Sequence, residues 1–255
     1  MEKQLYALGI SADGIHVYKE VDSTNLAAIR HARERTSRTV EVFLAEAQSA
    51  GRGRLGRSFV SKAGEGIYLS LLIPADGNDA ASLTPLAAVA ISRALHSELG
   101  IKVGIKWVND IYLSGKKLCG ILVEAVTSPD GKITDFVIGM GINVYKNAIS
   151  PEISDIATSL ENNGIFLPDK TSLVSAVIRE ILCEIKNPSP ERLLAEYRDG
   201  SILIGADITV CPVSGDEYRA RVIGINDDFT LKVEGGDGVV RNLFSGEVKI
   251  RIFAP

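Results

Sequence analysis

The stretch Gly51-Arg52-Gly53-Arg54-Leu55-Gly56-Arg57 sets three arginines among three glycines. Glycine lets backbone amides come close to a bound group, and each guanidinium presents a rigid fork of donors that matches carboxylate or phosphate oxygens. The chemistry on offer is capture of an anion. The spacing departs from G-x-x-x-x-G-K-[ST], and Gly51-x-Gly53 has neither the third glycine nor the following helix of a dinucleotide site, so P-loop and Rossmann readings fail. A solvated basic loop accounts for the bare composition equally well, but the position between two strand-like runs favours a binding role. Six of the nine residues 49–57 are Gly or Arg, and only Leu55 offers a core anchor. The segment is therefore expected to be mobile until a ligand orders it.

Other residues carry complementary chemistry. Lys116-Lys117 opens an apolar run, and on a regular strand neighbouring side chains face opposite sides, so one ammonium points inward. Lys117 would then share the face of Cys119 and Ile121. The plain alternative is two solvated turn lysines after Ser114-Gly115. Asp22-Ser23-Thr24-Asn25 and Gln48 mix donors and acceptors, although the first four also read as a helix cap. Asn109-Asp110 suits either a turn or oxygen ligation of a hard cation. Trp107 fits a core as well as a ligand wall, and Cys119 reads as a small buried apolar residue.

The elements that must hold these groups come from periodicity. Apolar runs at residues 16–21, 40–45, 67–73, 103–107, 118–126 and 136–142 read as strands. Leu83, Leu86, Ala87, Ala90, Ile91, Ala94, Leu95 and Leu99 mark one face of a helix starting near Ser82, and shorter helical patterns follow Asp22-Ser23 and run over 173–185 and 191–198. Helices covering a sheet are the expected first unit, residues 1–201. From residue 202 to 255 the texture changes to short β-like runs separated by Ser214-Gly215, Asn226-Asp227-Asp228 and Gly235-Gly236-Asp237-Gly238, the length and rhythm of a small barrel.

Composition narrows the class. The 255 residues are 45% hydrophobic and 24% charged, the balance of a soluble globular protein. No apolar run approaches the ~18 residues of a spanning helix, and the first residues lack a signal-peptide core, so a cytoplasmic protein without a membrane partner is expected. Cys119, Cys183 and Cys211 are odd in number and far apart, which suggests neither disulfides nor a zinc cage. His16, His31 and His96 are equally scattered, and no two stand at metal-ligand spacing. The formal net charge of -4 argues against a general nucleic-acid surface.

The segment 51–57 resembles the G-R-G-R-x-x-R signature of biotin–protein ligases. Asp22-Ser23-Thr24-Asn25, Gln48, Lys106-Trp107-Val108-Asn109-Asp110, the run from Lys116 to Glu124, and Gly139-Met140-Gly141-Ile142-Asn143-Val144 resemble that family's blocks in the family's order. Val108 departs from the proline common at this place. The resemblance implies an α+β fold: a mixed sheet covered by helices, of the class II synthetase and biotin-ligase kind, followed by a small C-terminal SH3-like barrel. It implies that biotin is activated with ATP to biotinyl-5'-AMP and then transferred to a lysine of a biotin carboxyl carrier protein of acetyl-CoA carboxylase or a related carboxylase. Ser23, Thr24, Asn25, Gln48, Arg52, Gly53, Arg54 and Lys117 are the implied biotin contacts. Arg54, Trp107, Asn109, Asp110 and Asn143 are the implied nucleotide contacts. Lys117, Arg54 and Arg57 are the implied catalytic cations, with Arg57 closing the loop. Asp110 is the candidate ligand for the Mg2+ that accompanies ATP. The resemblance leaves room for a homodimer. Some relatives carry an N-terminal winged helix and repress transcription, but here the Ser23 block begins too early to leave room for one, so no DNA partner is expected.

Two rivals come from the same residues. A lipoate–protein ligase resembles this fold and chemistry but lacks the arginine signature. A biotin sensor without turnover would keep the pocket and has no use for Lys117, Arg54 and Asn143 together.

Overall fold

The computed structural model describes residues 2–36, 38–212, 215–244 and 248–252. The chain opens with a short helix α1 (Glu2–Ala7), absent from the sequence expectations, whose Leu5 is buried. There follow β1 (Ile15–Val21), α2 (Thr24–Glu34), β2 (Glu41–Gln48), β3 (Gly66–Pro74), α3 (Ala80–Leu99), β4 (Gly104–Lys106), β5 (Asp110–Leu113), β6 (Lys116–Thr127), β7 (Ile133–Asn143), α4 (Lys170–Lys186) and α5 (Pro190–Asp199). The seven strands form one sheet in the order β1-β2-β3-β7-β6-β5-β4. β1 and β2 run parallel and the remaining pairs antiparallel, which makes the sheet mixed as expected.

Helix α3 starts two residues earlier than its apolar stripe suggested, because Asp79 and not Ser82 is the cap. The Asp79 carboxylate accepts from the amides of Ala81 and Ser82, satisfying orphan donors of the first turn. Gly100 ends the helix at φ 67, a left-handed conformation that suits glycine. Helices α3 and α4 cover one face of the sheet, where Leu69, Leu71, Ile138, Met140, Cys119 and Ile121 join a continuous core. On the opposite face α2 lays Ala27 and Ala28 over Phe43, Leu72, Val126 and Val137.

The second unit is a five-stranded antiparallel sheet of β8 (Asp207–Pro212), β9 (Tyr218–Ile225), β10 (Leu231–Gly235), β11 (Val240–Leu243) and β12 (Val248–Ile252), ordered β11-β10-β9-β8-β12, consistent with the SH3-like barrel expected. Its Ile208, Val210, Val222, Leu231 and Val233 belong to the same apolar core as the larger sheet. Among the described residues, no helix is long and apolar enough to cross a membrane.

Candidate active site

The second face of the large sheet is apolar only as far as α2 reaches. Alternation along β7 carries that face from Val137 to Gly139 and Gly141, and along β6 from Val126 through Glu124 and Leu122 to Gly120, with Gly120 paired to Gly141. The apolar floor thus gives way to glycines where the helix begins. A Cβ at Gly139 would stand 2.0 Å from Asn25 Oδ1, and one at Gly141 2.5 Å from the Phe59 ring. Missing side chains here open a cavity floored by Gly120, Gly139 and Gly141.

A hydrogen-bonded chain of polar groups walls it. Ser23 sits at the N-cap of α2, yet its hydroxyl makes no cap bond and lines the cavity. The Thr24 amide donates to Gln48 Oε1 at 2.8 Å, and the Gln48 amide group donates to Ser61 Oγ at 2.7 Å. Ser70 Oγ, on β3, lies 2.7 Å from Thr24 Oγ1 and donates to Asn25 Oδ1 at 2.6 Å. Asn25 Nδ2 donates in turn to Glu124 Oε2 at 2.9 Å. Buried polar atoms cost free energy unless paired, so each link fixes the next and the wall is rigid before any ligand arrives.

The arginine loop closes this wall. Leu55, the one residue of the loop that could have anchored it in a core, is half exposed, at φ 56. The backbone does the anchoring. Gly53 N–H donates to Arg57 O at 2.7 Å and Phe59 N–H to Gly51 O at 2.8 Å, while the Phe59 ring lies over Gly120 and Gly141. A Cβ at Gly51 would meet Phe59 O at 2.3 Å, which is why glycine is required there. Arg52 pairs with Glu124 at 2.9 Å. Arg54 turns inward and donates to Asn109 Oδ1 at 3.0 Å, whereas Arg57 stays exposed. Burial draws the Arg54 pKa below the ordinary value, partly offset by Asp110.

A second cavity adjoins the first and is lined by Arg54, Arg57, Lys106, Trp107, Asn109, Asp110 and Lys117. Gly53, Arg54, Phe59, Asn109 and Lys117 belong to both. Lys117 reaches this junction by a route opposite to the one expected. β6 bulges where Ile111 pairs with Cys119 and Tyr112 with Lys117, so Leu118 is the extra residue. Leu118 and Cys119 are both fully buried, and Lys117 emerges on the face of Gly120, whose notional Cβ is 3.0 Å from Lys117 Nζ. It does not share the face of Cys119 and Ile121. Lys116 points away and donates to Ser154 O. Lys117 Nζ stands 2.6 Å from the buried Asp110 Oδ1 as an ion pair.

Of the residues singled out in the sequence, Ser23, Thr24, Asn25, Gln48, Arg52, Gly53, Arg54 and Lys117 all line the first cavity. Arg57, Trp107 and Asp110 line the second, and Asn109 both. Asn143 lines neither; its amide donates to Thr158 O at 3.0 Å. Burial raises the Cys119 thiol pKa to about 12, which leaves it an inert apolar group. Phe59, Ser70, Glu124 and Lys106 were missed. Lys106 carried a signal, as the first residue of a quoted block; Phe59 carried none, since its place depends on a gap left by glycines on strands distant in the chain.

Residues 17–143 match the model of the biotin/lipoate A/B protein ligase family. The biotin–[acetyl-CoA-carboxylase] ligase of Mycobacterium tuberculosis is 32% identical over 249 residues, 94% of this chain and 90% of the relative. The bifunctional ligase/repressor BirA of Bacillus subtilis is 30% identical over 246 residues, 92% of this chain and 73% of the relative. The structure of the biotin protein ligase from Aquifex aeolicus in complex with biotin and ATP superposes with a TM-score of 0.79 at 26% identity, covering 94% of this chain and 99% of that one. With its glycine-floored pocket, its arginine loop and these relatives, the chain belongs to the biotin/lipoate A/B protein ligase family, among the biotin protein ligases.

Proposed function

We propose that the protein activates biotin with ATP, releasing pyrophosphate, and transfers the biotinyl group to a lysine amine of a biotin carboxyl carrier protein. The observation that carries this reading is the shared wall between the two cavities, where Arg54 and Lys117 face both. Biotin in the first cavity presents its carboxylate there, and ATP in the second presents its α-phosphate. Two anions repel unless fixed positive charge offsets the repulsion, and preorganised donors act more strongly away from bulk water. A carboxylate oxygen bonds to the α-phosphorus as the bond to pyrophosphate breaks; the carrier amine then bonds to the acyl carbon, AMP leaves and the amine gives up a proton.

In this reading Ser23, Thr24, Asn25 and Gln48 meet the ureido ring with their rigid mixture of donors and acceptors. Lys117 and Arg54 clamp the reacting oxygens, Arg52 and Gly53 close the biotin side, and Arg57 folds over the intermediate to exclude water. Trp107, Asn109 and Asp110 attend the nucleotide, with Asn143 holding the strand end behind them. Asp110 lines the second cavity with its Oδ1 held by Lys117 at 2.6 Å; a carboxylate there is the oxygen donor a hard cation takes, so Asp110 would hold Mg2+, which would supply charge neutralisation at the phosphates.

Exchange of labelled pyrophosphate into ATP tests the proposal. Label should enter ATP only when biotin is present. Dependence on lipoate would establish the lipoate-ligase rival, and biotin binding without exchange would establish the sensor.

A further inference from the structure

At the far end of α2 and β2 from the cavity the fold assembles a group that sequence spacing did not announce. His16 on β1 and His31 on α2 both place Nε2 2.8 Å from one oxygen, Oε2 of Glu41 at the start of β2. The three ligand atoms lie within 4.8 Å of one another. We propose that His16, His31 and Glu41 form a binding site for a first-row divalent metal ion of borderline softness, with Zn2+ the best fit, separate from the cation that accompanies ATP.

Three features favour a metal. The carboxylate is divided: Oε1 pairs with Arg35 Nη1 at 2.7 Å, which leaves Oε2 to the two imidazoles. Buried Glu41 and Asp135 share the guanidinium of Arg35, so a further positive charge beside Glu41 balances the pair. The rings are held in place: His16 stacks on Phe43 at 4.3 Å, and His31 meets the same ring edge-on at 5.7 Å. Two imidazoles and one carboxylate suit Zn2+, with a fourth position for water. Ligand atoms on a tetrahedral ion with ~2.0 Å bonds stand about 3.3 Å apart. The two imidazole nitrogens are each 2.8 Å from the oxygen and the three atoms lie within 4.8 Å of one another, so seating the ion takes about half an ångström of outward shift at the oxygen and a closing of the two rings toward each other. Glu41 is nearly inaccessible, but the His16 and His31 side chains are 21% and 35% exposed, which gives the ion an entry path. Bound there, it would tie the last turn of α2 to β1 and β2, the elements whose other ends present Asn25 and Gln48 to the cavity.

The test is titration of the chelator-treated, metal-free full chain with Zn2+ by calorimetry and with Co2+ by visible absorption and NMR. One equivalent should bind, with the absorption of four-coordinate nitrogen and oxygen ligation, and paramagnetic broadening should reach His16 and His31 while the exposed His96 stays sharp. A His16→Gln/His31→Gln variant should keep the fold by circular dichroism and lose roughly tenfold or more in affinity, the scale at which even outer-shell changes act. Absence of saturable binding, equal broadening of His96, or unchanged affinity in the variant would overturn the site. If the variant does not fold, the pattern of broadening in the native chain decides alone. Protonated imidazoles in place of a metal would appear as histidine titration without any metal uptake, which also refutes it.

Discussion

Lys117 and Lys116 are adjacent, chemically identical and differently used. The first stands at the junction of two cavities and the second donates to a loop carbonyl. Lys117→Ala should keep its fold and lose adenylation by about a hundredfold or more, the size of effect typical for a donor at developing charge. Lys116→Ala should leave pyrophosphate exchange near normal. Lys106 makes a separate prediction. Burial lowers its pKa from the usual lysine value, Asp110 opposes, and Lys117 and Arg57 add repulsion. Its ammonium therefore loses its proton at lower pH than a free lysine, and kcat/KM for ATP should fall on that alkaline limb. Lys106→Arg, charged throughout, should move the limb to higher pH; an unmoved limb would show that another group controls it. Gly141→Ala puts a Cβ where the Phe59 ring lies, and should raise KM for biotin with kcat less affected. The polar and cationic residues of the pocket were legible because their types announce their chemistry. Phe59 and Ser70 were not, since a phenylalanine and a serine acquire a role only from what the fold sets beside them.

Elements carry the positioning. The sequence announced β6 as a strand, but a period of two cannot reveal a bulge, and the extra residue at Leu118 moved Lys117 from one face to the other. The long helix α3 was plain from its apolar stripe, while its start depended on the Asp79 cap. The tie between α3, α4 and α5 was not visible at all. Arg93 on α3 pairs with Glu184 on α4 at 3.0 Å and with Glu196 on α5 at 2.7 Å, and Arg192 adds to Glu184 at 2.9 Å. Burial works to raise the Glu184 carboxyl, but Arg93, Arg192 and the Ser189 amide outweigh it and leave the pKa below 4.5. A carboxyl depressed by folding contributes stability that is complete above its unfolded pKa and lost as pH falls through the folded one. Glu184→Gln should therefore lower Tm at neutral pH and converge with the native chain as pH drops below about 4.5. A constant Tm difference across that range would mean that packing, not charge, is what the glutamate supplies.

Across the whole molecule the two sheets meet beside the second cavity. Ile105 N–H donates to Gly200 O at 2.7 Å and Ile202 N–H to Ile105 O at 3.0 Å, so the chain leaving α5 is tied to β4 by a single parallel bridge, Ile105 opposite Ser201. Buried Tyr197 donates to Val108 O at 3.0 Å and meets Phe229 edge-on at 5.6 Å. Trp107 completes the seam. Its indole N–H donates to Phe229 O in the second sheet at 2.8 Å, while the residue also lines the second cavity. The tryptophan is thus both core and wall, a dual role its sequence context left open. Trp107→Phe keeps an aromatic body and deletes the donor, stranding a half-buried carbonyl at a cost of about 1–3 kcal/mol. For a chain of this size that is roughly 2–4 °C in Tm per kcal/mol. Because Trp107 borders the second cavity and not the first, KM for ATP should rise while biotin affinity, measured calorimetrically without nucleotide, stays within error. Equal losses for both ligands would mean that the seam acts on the arginine loop shared by the cavities, and that the small sheet governs the junction itself instead of the nucleotide alone.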